Sequence, residues 1–117
     1  MGATVGEIKA VTAIIASGQP TSSGFYPGGF RAFGLLIPVL TSAAAGVAFL
    51  GAGTGGSFQL FRDTAGAQYS AQTPGGTGGM WLGSNGLEFL QGFHGEVRLS
   101  ANANQAADRN FVWHLKG

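Results

Sequence analysis

The chain has 117 residues, of which 22 are glycine and none is cysteine. Only 9% of its residues are charged, against about 25% in an average soluble domain, and the formal net charge is +1. The missing cysteines exclude disulfides and thiolate metal sites, and the scattered basic residues exclude the positive surface that binds nucleic acid. The length suits one domain with one hydrophobic core, and a hydrophobic content of 44% excludes a disordered chain.

Three segments in the first half of the chain are predicted to form β-strands. Residues 7–16 are rich in β-branched side chains and stop at a Ser-Gly-Gln-Pro sequence. Residues 30–37 place large apolar side chains at every second position and end at a proline. Residues 47–50 form a short run that is apolar on both faces. The connection at 21–29 is rich in glycine and proline and carries two aromatic residues, so it is predicted to be a loop.

The chain carries no charged side chain between Arg31 and Arg62. If residues 32–53 were helical, they would be long enough to span a bilayer, which takes about 20 apolar residues. Pro38 and the glycines at 51–56 oppose a helix, because each glycine in a helix interior costs about 1 kcal/mol relative to alanine. Two buried strands joined by a loop of small residues explain the run better than a membrane helix does.

The following stretch is predicted to be a β-hairpin. Residues 57–62 form a strand centred on phenylalanine, and residues 67–71 form the returning strand. The connecting Asp-Thr-Ala-Gly at 63–66 has the aspartate and the glycine that a type I turn prefers at its first and last positions. The Gly- and Thr-rich sequence at 72–79 then predicts an exposed loop.

The last third of the chain contains a second predicted hairpin and two alternating strands. The Asn85-Gly86 pair is a strong signal for a tight turn between strands at 80–82 and 87–90. Residues 96–100 and 110–116 alternate between apolar and polar side chains, which is typical of strands with one face towards solvent. The polar sequence between these two strands is predicted to be a connection.

Seven to nine short strands with frequent turn signals, and no long amphipathic helix, predict an all-β antiparallel sandwich or barrel. The apolar positions at strand spacing define the expected core between the sheets. We expect these side chains to face one another: Phe33, Leu35, Ile37, Phe49, Phe58, Leu60, Val97, Leu99, Phe111 and Trp113.

Residues that carry catalytic chemistry are few. His94 and His114 lack the close spacing of a metal-binding pair, and Glu88 and Glu96 are more typical of solvent-facing strand positions than of an acid/base pair. The Gly-x-Gly-x-x-Gly at 51–56 resembles a dinucleotide fingerprint, but a strand follows it where a helix is required. We therefore expect no catalytic residue, no cofactor and no metal, and we do not expect an enzyme.

Four large side chains stand beside glycine- or proline-containing loops, where a small core is not expected to cover them. They are Phe25, Tyr26, Met80 and Trp81. Aromatic residues and methionine on weakly charged loops are typical of a protein interface. They are also typical of a carbohydrate-stacking platform, although the clusters of Asp, Asn and Arg that such a platform usually has do not accompany them. The interface interpretation is preferred, and the carbohydrate interpretation remains the alternative.

Several short sequences between residues 30 and 115 occur together in a recognisable order. They are Leu-Ile-Pro-Val-Leu at 36–40, Val-Ala-Phe-Leu at 47–50, the phenylalanine-centred segment 55–63 with Gly66, and Phe-His-Gly at 93–95. In this order the chain resembles the small cement, or decoration, proteins of tailed bacteriophages, which sit on the outside of the capsid shell. It departs from their pattern before the phenylalanine-centred strand, where it has Gly-Gly instead of an Asp-Gly turn.

The resemblance implies a jelly-roll sandwich. Because the first predicted strand begins at residue 7, we expect one sandwich domain at 7–117, preceded by an N-terminal arm at 1–6. It also implies a protein that binds the major capsid protein, forms a small homo-oligomer, and contacts neither nucleic acid nor membrane. Such a protein would be made in the host cytoplasm and would end on the outer surface of the virion. The alternatives are a carbohydrate-binding module of a phage tail or fibre and a small membrane protein of the lytic machinery.

Overall fold

The computed structural model describes residues 6–40, 46–53, 56–72, 80–82, 86–101 and 103–117. These residues form an all-β structure that includes a turn of 3-10 helix at Glu88–Leu90. Its strands are β1 (Ile8–Ile15), β2 (Ala32–Ile37), β3 (Gly46–Ala52), β4 (Gln59–Leu60), β5 (Ser70–Gln72), β6 (Met80–Leu82), β7 (Glu96–Ala101) and β8 (Arg109–Lys116).

The strands form two antiparallel sheets. The first sheet has the order β1-β8-β2-β6, so the first and last strands of the chain lie side by side. In the second sheet β3 is central, with β7 along one side and both β4 and β5 along the other. The predicted all-β antiparallel architecture is therefore confirmed.

Residues 21–25, which the sequence predicts to be a loop, extend the second sheet beyond β7. Thr21 and Phe25 form antiparallel bridges with Ser100 and Val97 of β7. The backbone N–H of Phe25 donates to the carbonyl of Val97 at 3.0 Å, and Val97 N–H donates back at 2.8 Å. The segment is therefore an extended neighbour of β7.

The hydrophobic core lies between the two sheets. The rings of Phe49 on β3 and Trp113 on β8 are 6.2 Å apart, which joins the sheets across the middle of the sandwich. Most of the predicted core is confirmed as buried, with exposures of 2% or less: Phe33, Leu35, Ile37, Phe49, Val97, Leu99, Phe111 and Trp113.

Two of the predicted core positions are wrong. Phe58 and Leu60 are only partly buried, and the guanidinium of Arg98 lies 4.4 Å from the centre of the Phe58 ring. In this segment Phe61 packs against the core instead. Strand β4 has only two residues, so the alternation assumed for a six-residue strand does not hold here.

The turn at 63–66 is confirmed. Gly66 N–H donates to the carbonyl of Asp63 at 3.0 Å, and the Asp63 carboxylate accepts the N–H groups of Ala65 and Ala67, each at 2.9 Å. The side-chain bonds replace backbone partners that a short turn lacks, as aspartate commonly does at this position. The returning strand is shorter than predicted, because only Ser70–Gln72 pairs with β3.

The second predicted hairpin is wrong. Strand β6 pairs with β2, and Glu88–Leu90 forms a 3-10 turn instead of a returning strand. Leu87 and Leu90 are both fully buried. A 3-10 turn aligns residues three apart, so it directs both leucines into the core, whereas a strand would send them to opposite faces.

The long uncharged run forms strands β2 and β3. Strand β2 ends directly before Pro38, as the sequence predicts. Within the part of the chain that the structure describes, no helix has the length and apolar character needed to cross a membrane.

Candidate functional site

Phe25 and Tyr26, two neighbouring aromatic residues of the predicted interface, differ in exposure: one is buried and the other is open to solvent. Phe25 is only 5% exposed, and its ring lies 4.5 Å from that of Trp113. Because residues 21–25 pair with β7, the side chain of Phe25 lies in the core between the sheets. The expectation that the core cannot cover Phe25 is therefore wrong. Tyr26 is 67% exposed, as expected for a residue that meets a partner. Of these two residues, Tyr26 alone presents a large surface to solvent.

Met80 and Trp81 lie in a strand, not in a loop. Strand β6 is an edge of the first sheet, and its backbone register pairs Met80 with Ile37 and Trp81 with Leu36. The side chains of Met80 and Trp81 lie outside what the structure describes. Their proposed role at an interface stays a prediction.

Tyr26 lines an open groove of about 360 Å³ at one end of the second sheet. Phe58, His94 and Glu96 also line the groove, and small residues at the end of β3 and the start of β7 complete it: Ala52, Gly53, Gly56 and Gly95. These segments are distant in sequence. They converge because β7 pairs with β3 on one side and with residues 21–25 on the other.

A short ion pair borders this groove. Arg98 Nε donates to Glu96 Oε2 at 3.1 Å, and the same guanidinium lies over the Phe58 ring. The side chains of Arg98 and Glu96 are 38% and 25% exposed, and pairs as open as this one contribute at most about 1 kcal/mol to stability. The main effect of the pair is to hold a carboxylate at the groove beside an aromatic ring.

The groove offers both apolar and polar contacts to a ligand. The rings of Tyr26 and Phe58 can pack against an apolar surface, and the carboxylate of Glu96 and the imidazole of His94 can form hydrogen bonds. His114 lies instead on the outward face of β8, away from the core. In the described ranges, no cluster of three or more histidine, aspartate or glutamate side chains is suited to hold a metal ion.

The grouping of Tyr26 with Phe58, His94 and Glu96 was not predicted from the sequence. Residues 26, 58 and 94–96 belong to three separate segments, and no spacing motif links them. The signal appears only once the strand register is known, because Ala52 pairs with Glu96 and Phe25 pairs with Val97. Of these four residues, the sequence predicts an interface role only for Tyr26.

Gly95 forms part of this groove through a close approach of two backbones. A Cβ atom at Gly95 would overlap the carbonyl oxygen of Ala52, so Gly95→Ala requires a backbone shift. We expect it to lower the free energy of unfolding by about 1–3 kcal/mol, the usual range for overpacking. Gly86→Ala is the matched control, since no described residue lies within 4 Å of a Cβ placed there.

Urea unfolding followed by circular dichroism measures the free energy of unfolding of both glycine variants. We expect the Gly86 variant to unfold within about 0.5 kcal/mol of the parent, or to be slightly more stable. Equal stability of the two variants would show that the contact between position 95 and the Ala52 carbonyl does not constrain the fold.

No protein-family model matches the sequence, and no curated protein is significantly similar to it. Among solved structures, the chain is similar to the crystal structure of the SPBc2 prophage-derived protein YomS, with a TM-score of 0.53 and 13% sequence identity. The alignment covers 97% of this chain and 98% of that protein. At this identity, the similarity shows that the two chains share a fold over nearly their full lengths.

Proposed function

We propose that the chain is a structural virion protein of a tailed bacteriophage, a cement protein that binds the outside of the capsid shell. The observation that carries this proposal is the full-length similarity in fold to a prophage-derived protein. Its partners would be the major capsid protein and further copies of itself. This role requires no catalytic residue, cofactor or metal, and we propose none.

The proposed fold is a jelly roll, and the strand pairings support it. Eight extended segments follow one another along the chain. In order, they are β1, residues 21–25, β2, β3, β4 together with β5, β6, β7 and β8. The pairings are then first with last, second with seventh, third with sixth, and fourth with fifth. This is the order produced by rolling one long hairpin into two sheets, and jelly rolls are common in viral capsid proteins.

The surface properties also suit a protein that works in a dense lattice. Charged residues are scarce, and Ile8, Ile14 and Tyr26 expose large apolar surfaces. A capsid offers many identical sites, so weak contacts made several times over can yield stable decoration through multivalency. Exposed apolar side chains that would favour aggregation in a free monomer would then be covered on the shell.

Tyr26→Ser tests the capsid role. We expect the variant to keep the parent's melting temperature while its affinity for heads built from the cognate major capsid protein falls about tenfold, as for an aromatic interface residue. Co-sedimentation with heads measures the affinity. Tyr26→Phe is the matched control, because it keeps the ring, and we expect near-parent binding. Trp81→Ser tests the other predicted contact in the same assay.

Copy number provides the second test of the capsid role. Quantitative mass analysis of purified virions should find the protein in hundreds of copies, as a lattice of identical sites requires. A few copies per virion would contradict a cement protein and would favour a tail component instead.

A carbohydrate-binding module of a phage tail or fibre is the second candidate function. The groove favours it, because Tyr26 and Phe58 offer rings for stacking while His94 and Glu96 offer hydrogen bonds to hydroxyl groups. Calorimetry with surface polysaccharide from the host tests this alternative. It would replace the capsid proposal if Tyr26→Ser decorated heads fully but lost binding to the polysaccharide.

A further inference from the structure

The outer edge of β1 is left open along part of its length. Strand β1 is the edge of the first sheet and pairs with β8 on its inner side. On the other side, Ile14 N–H donates to Ser23 Oγ at 3.1 Å, and Ser23 N–H donates to the Ile14 carbonyl at 3.0 Å. Ser23 therefore closes the edge at Ile14. On this outer side, none of the described residues pairs with residues 8–12 of β1.

The direction of the free backbone groups follows from Ile14. In an antiparallel strand the N–H and C=O of one residue point to the same side, and the side alternates along the chain. The backbone N–H and C=O of Ile14 point away from β8, so the backbone groups of Ile8, Ala10 and Thr12 do the same. The carbonyl of Glu7, at an odd position, accepts from Gly117 on the side of β8, which agrees with this alternation. Ile8, Ala10 and Thr12 thus each direct a backbone N–H and a C=O to the open side, where no described residue pairs with them.

The same three residues carry side chains on the outer face of the sheet, because Ala13 and Ile15 face the core. None of the three is charged, and Ile8 is 79% exposed. A long edge with exposed apolar side chains is a surface on which another strand readily pairs. The open edge, residues 8–12 of β1, is therefore a site where another strand can add to the sheet.

We propose that a second copy of the chain occupies the open edge, by antiparallel pairing of β1 with β1 about a two-fold axis at Ala10. The edge is self-complementary: Ala10 meets Ala10 of the second copy, and Ile8 meets Thr12. Three such pairs, each exchanging two bonds, would form about six backbone hydrogen bonds. The first sheets of the two copies would then join into one continuous sheet.

The charges on β1 are compatible with this register. The outer-face row formed by Ile8, Ala10 and Thr12 brings no charged groups together. On the inner face, Lys9 would lie opposite Val11 of the second copy and not opposite a second lysine. Like charges directly opposite one another would destabilise the pairing, and this two-fold register avoids them. This pairing involves only copies of the chain, so it does not depend on the proposed capsid role.

Analytical ultracentrifugation over micromolar to millimolar concentrations tests the dimer. We expect the mass to rise with concentration from the monomer value of 11.8 kDa towards twice that value. Ala10→Pro removes an N–H that has no partner among the described residues of the monomer, and proline is tolerated on the open side of an edge strand. The two-fold axis duplicates the lost bond, so we expect about tenfold weaker dimerisation or more. Ala10→Val keeps the N–H and should dimerise like the parent.

A charge exchange tests the register without proline. The double variant Ile8→Lys with Thr12→Lys places lysine opposite lysine and should be monomeric. Ile8→Lys with Thr12→Glu places lysine opposite glutamate and should dimerise. Circular dichroism should show a parent-like fold for all of these variants. A parent that stays monomeric at every concentration would overturn the proposal and leave the edge to a strand of another protein. Equal dimerisation of the two charge variants would also overturn it.

Discussion

Replacement of Trp113 by alanine is expected to lower the free energy of unfolding by about 3–5 kcal/mol, the range found for fully buried aromatic side chains. Trp113 lies on the first sheet, is 0% exposed, and packs against two rings of the second sheet: Phe25 at 4.5 Å and Phe49 at 6.2 Å. A small domain has only about 5–15 kcal/mol of stability in total. The variant should therefore be close to unfolding at room temperature. Urea titrations followed by circular dichroism measure its remaining free energy of unfolding.

Trp113→Phe is the control for this experiment. The indole Nε1 of Trp113 is buried and has no hydrogen-bond partner among the described residues, and such a group costs about 1–3 kcal/mol. Phenylalanine removes the unpaired N–H while it keeps a ring in the core, so its cost should be clearly smaller than that of alanine. A loss below about 1 kcal/mol for the alanine variant would show that Trp113 does not support the core.

The adjacent residues Phe25 and Tyr26 are expected to respond in opposite ways to the same change. Phe25→Ala should cost about 3–5 kcal/mol of stability, because the ring is buried against Trp113. Tyr26→Ala should change stability by no more than about 0.5 kcal/mol, because most of its side chain is in solvent. Paired urea titrations of the two single variants measure this difference.

The result for Phe25 decides how residues 21–25 are attached to the sandwich. A small effect of Phe25→Ala would mean that the ring leaves the core easily and that the segment is a loop, as its sequence predicts. A large effect at Tyr26 would place that side chain inside the fold and remove it from the groove.

Alternation along the strands was the part of the fold that could be predicted from sequence. In β8, Phe111, Trp113 and Leu115 are buried while His114 and Lys116 are exposed, as the period of two requires. The prediction failed where an element is too short to have a period. Phe58 near the two-residue strand β4 is one case, and Leu90 in the 3-10 turn is the other.

The groove could not be predicted in the same way. Glu96 is polar and begins an alternating strand, so the sequence indicates a solvent-facing residue and gives no reason to place it near Tyr26 or Phe58. Their proximity depends on how β7 pairs on both of its sides. Pairings between distant segments depend on the whole fold and leave no mark in the local sequence. Tyr26 was found from composition alone, because an aromatic residue between glycines and prolines has few core neighbours.

The nested pairing of the strands has a consequence for how the protein is made. Strand β8 fills the centre of the first sheet, between β1 and β2, and supplies three core residues. A nascent chain therefore cannot close its core until residue 116 has left the ribosome. Until then β1 and β2 lack the strand that lies between them, and their apolar side chains remain available for wrong contacts. Folds dominated by such distant pairings fold slowly, on the scale of milliseconds to seconds. For this chain the interval between synthesis and closure of the core is when aggregation competes most strongly with folding.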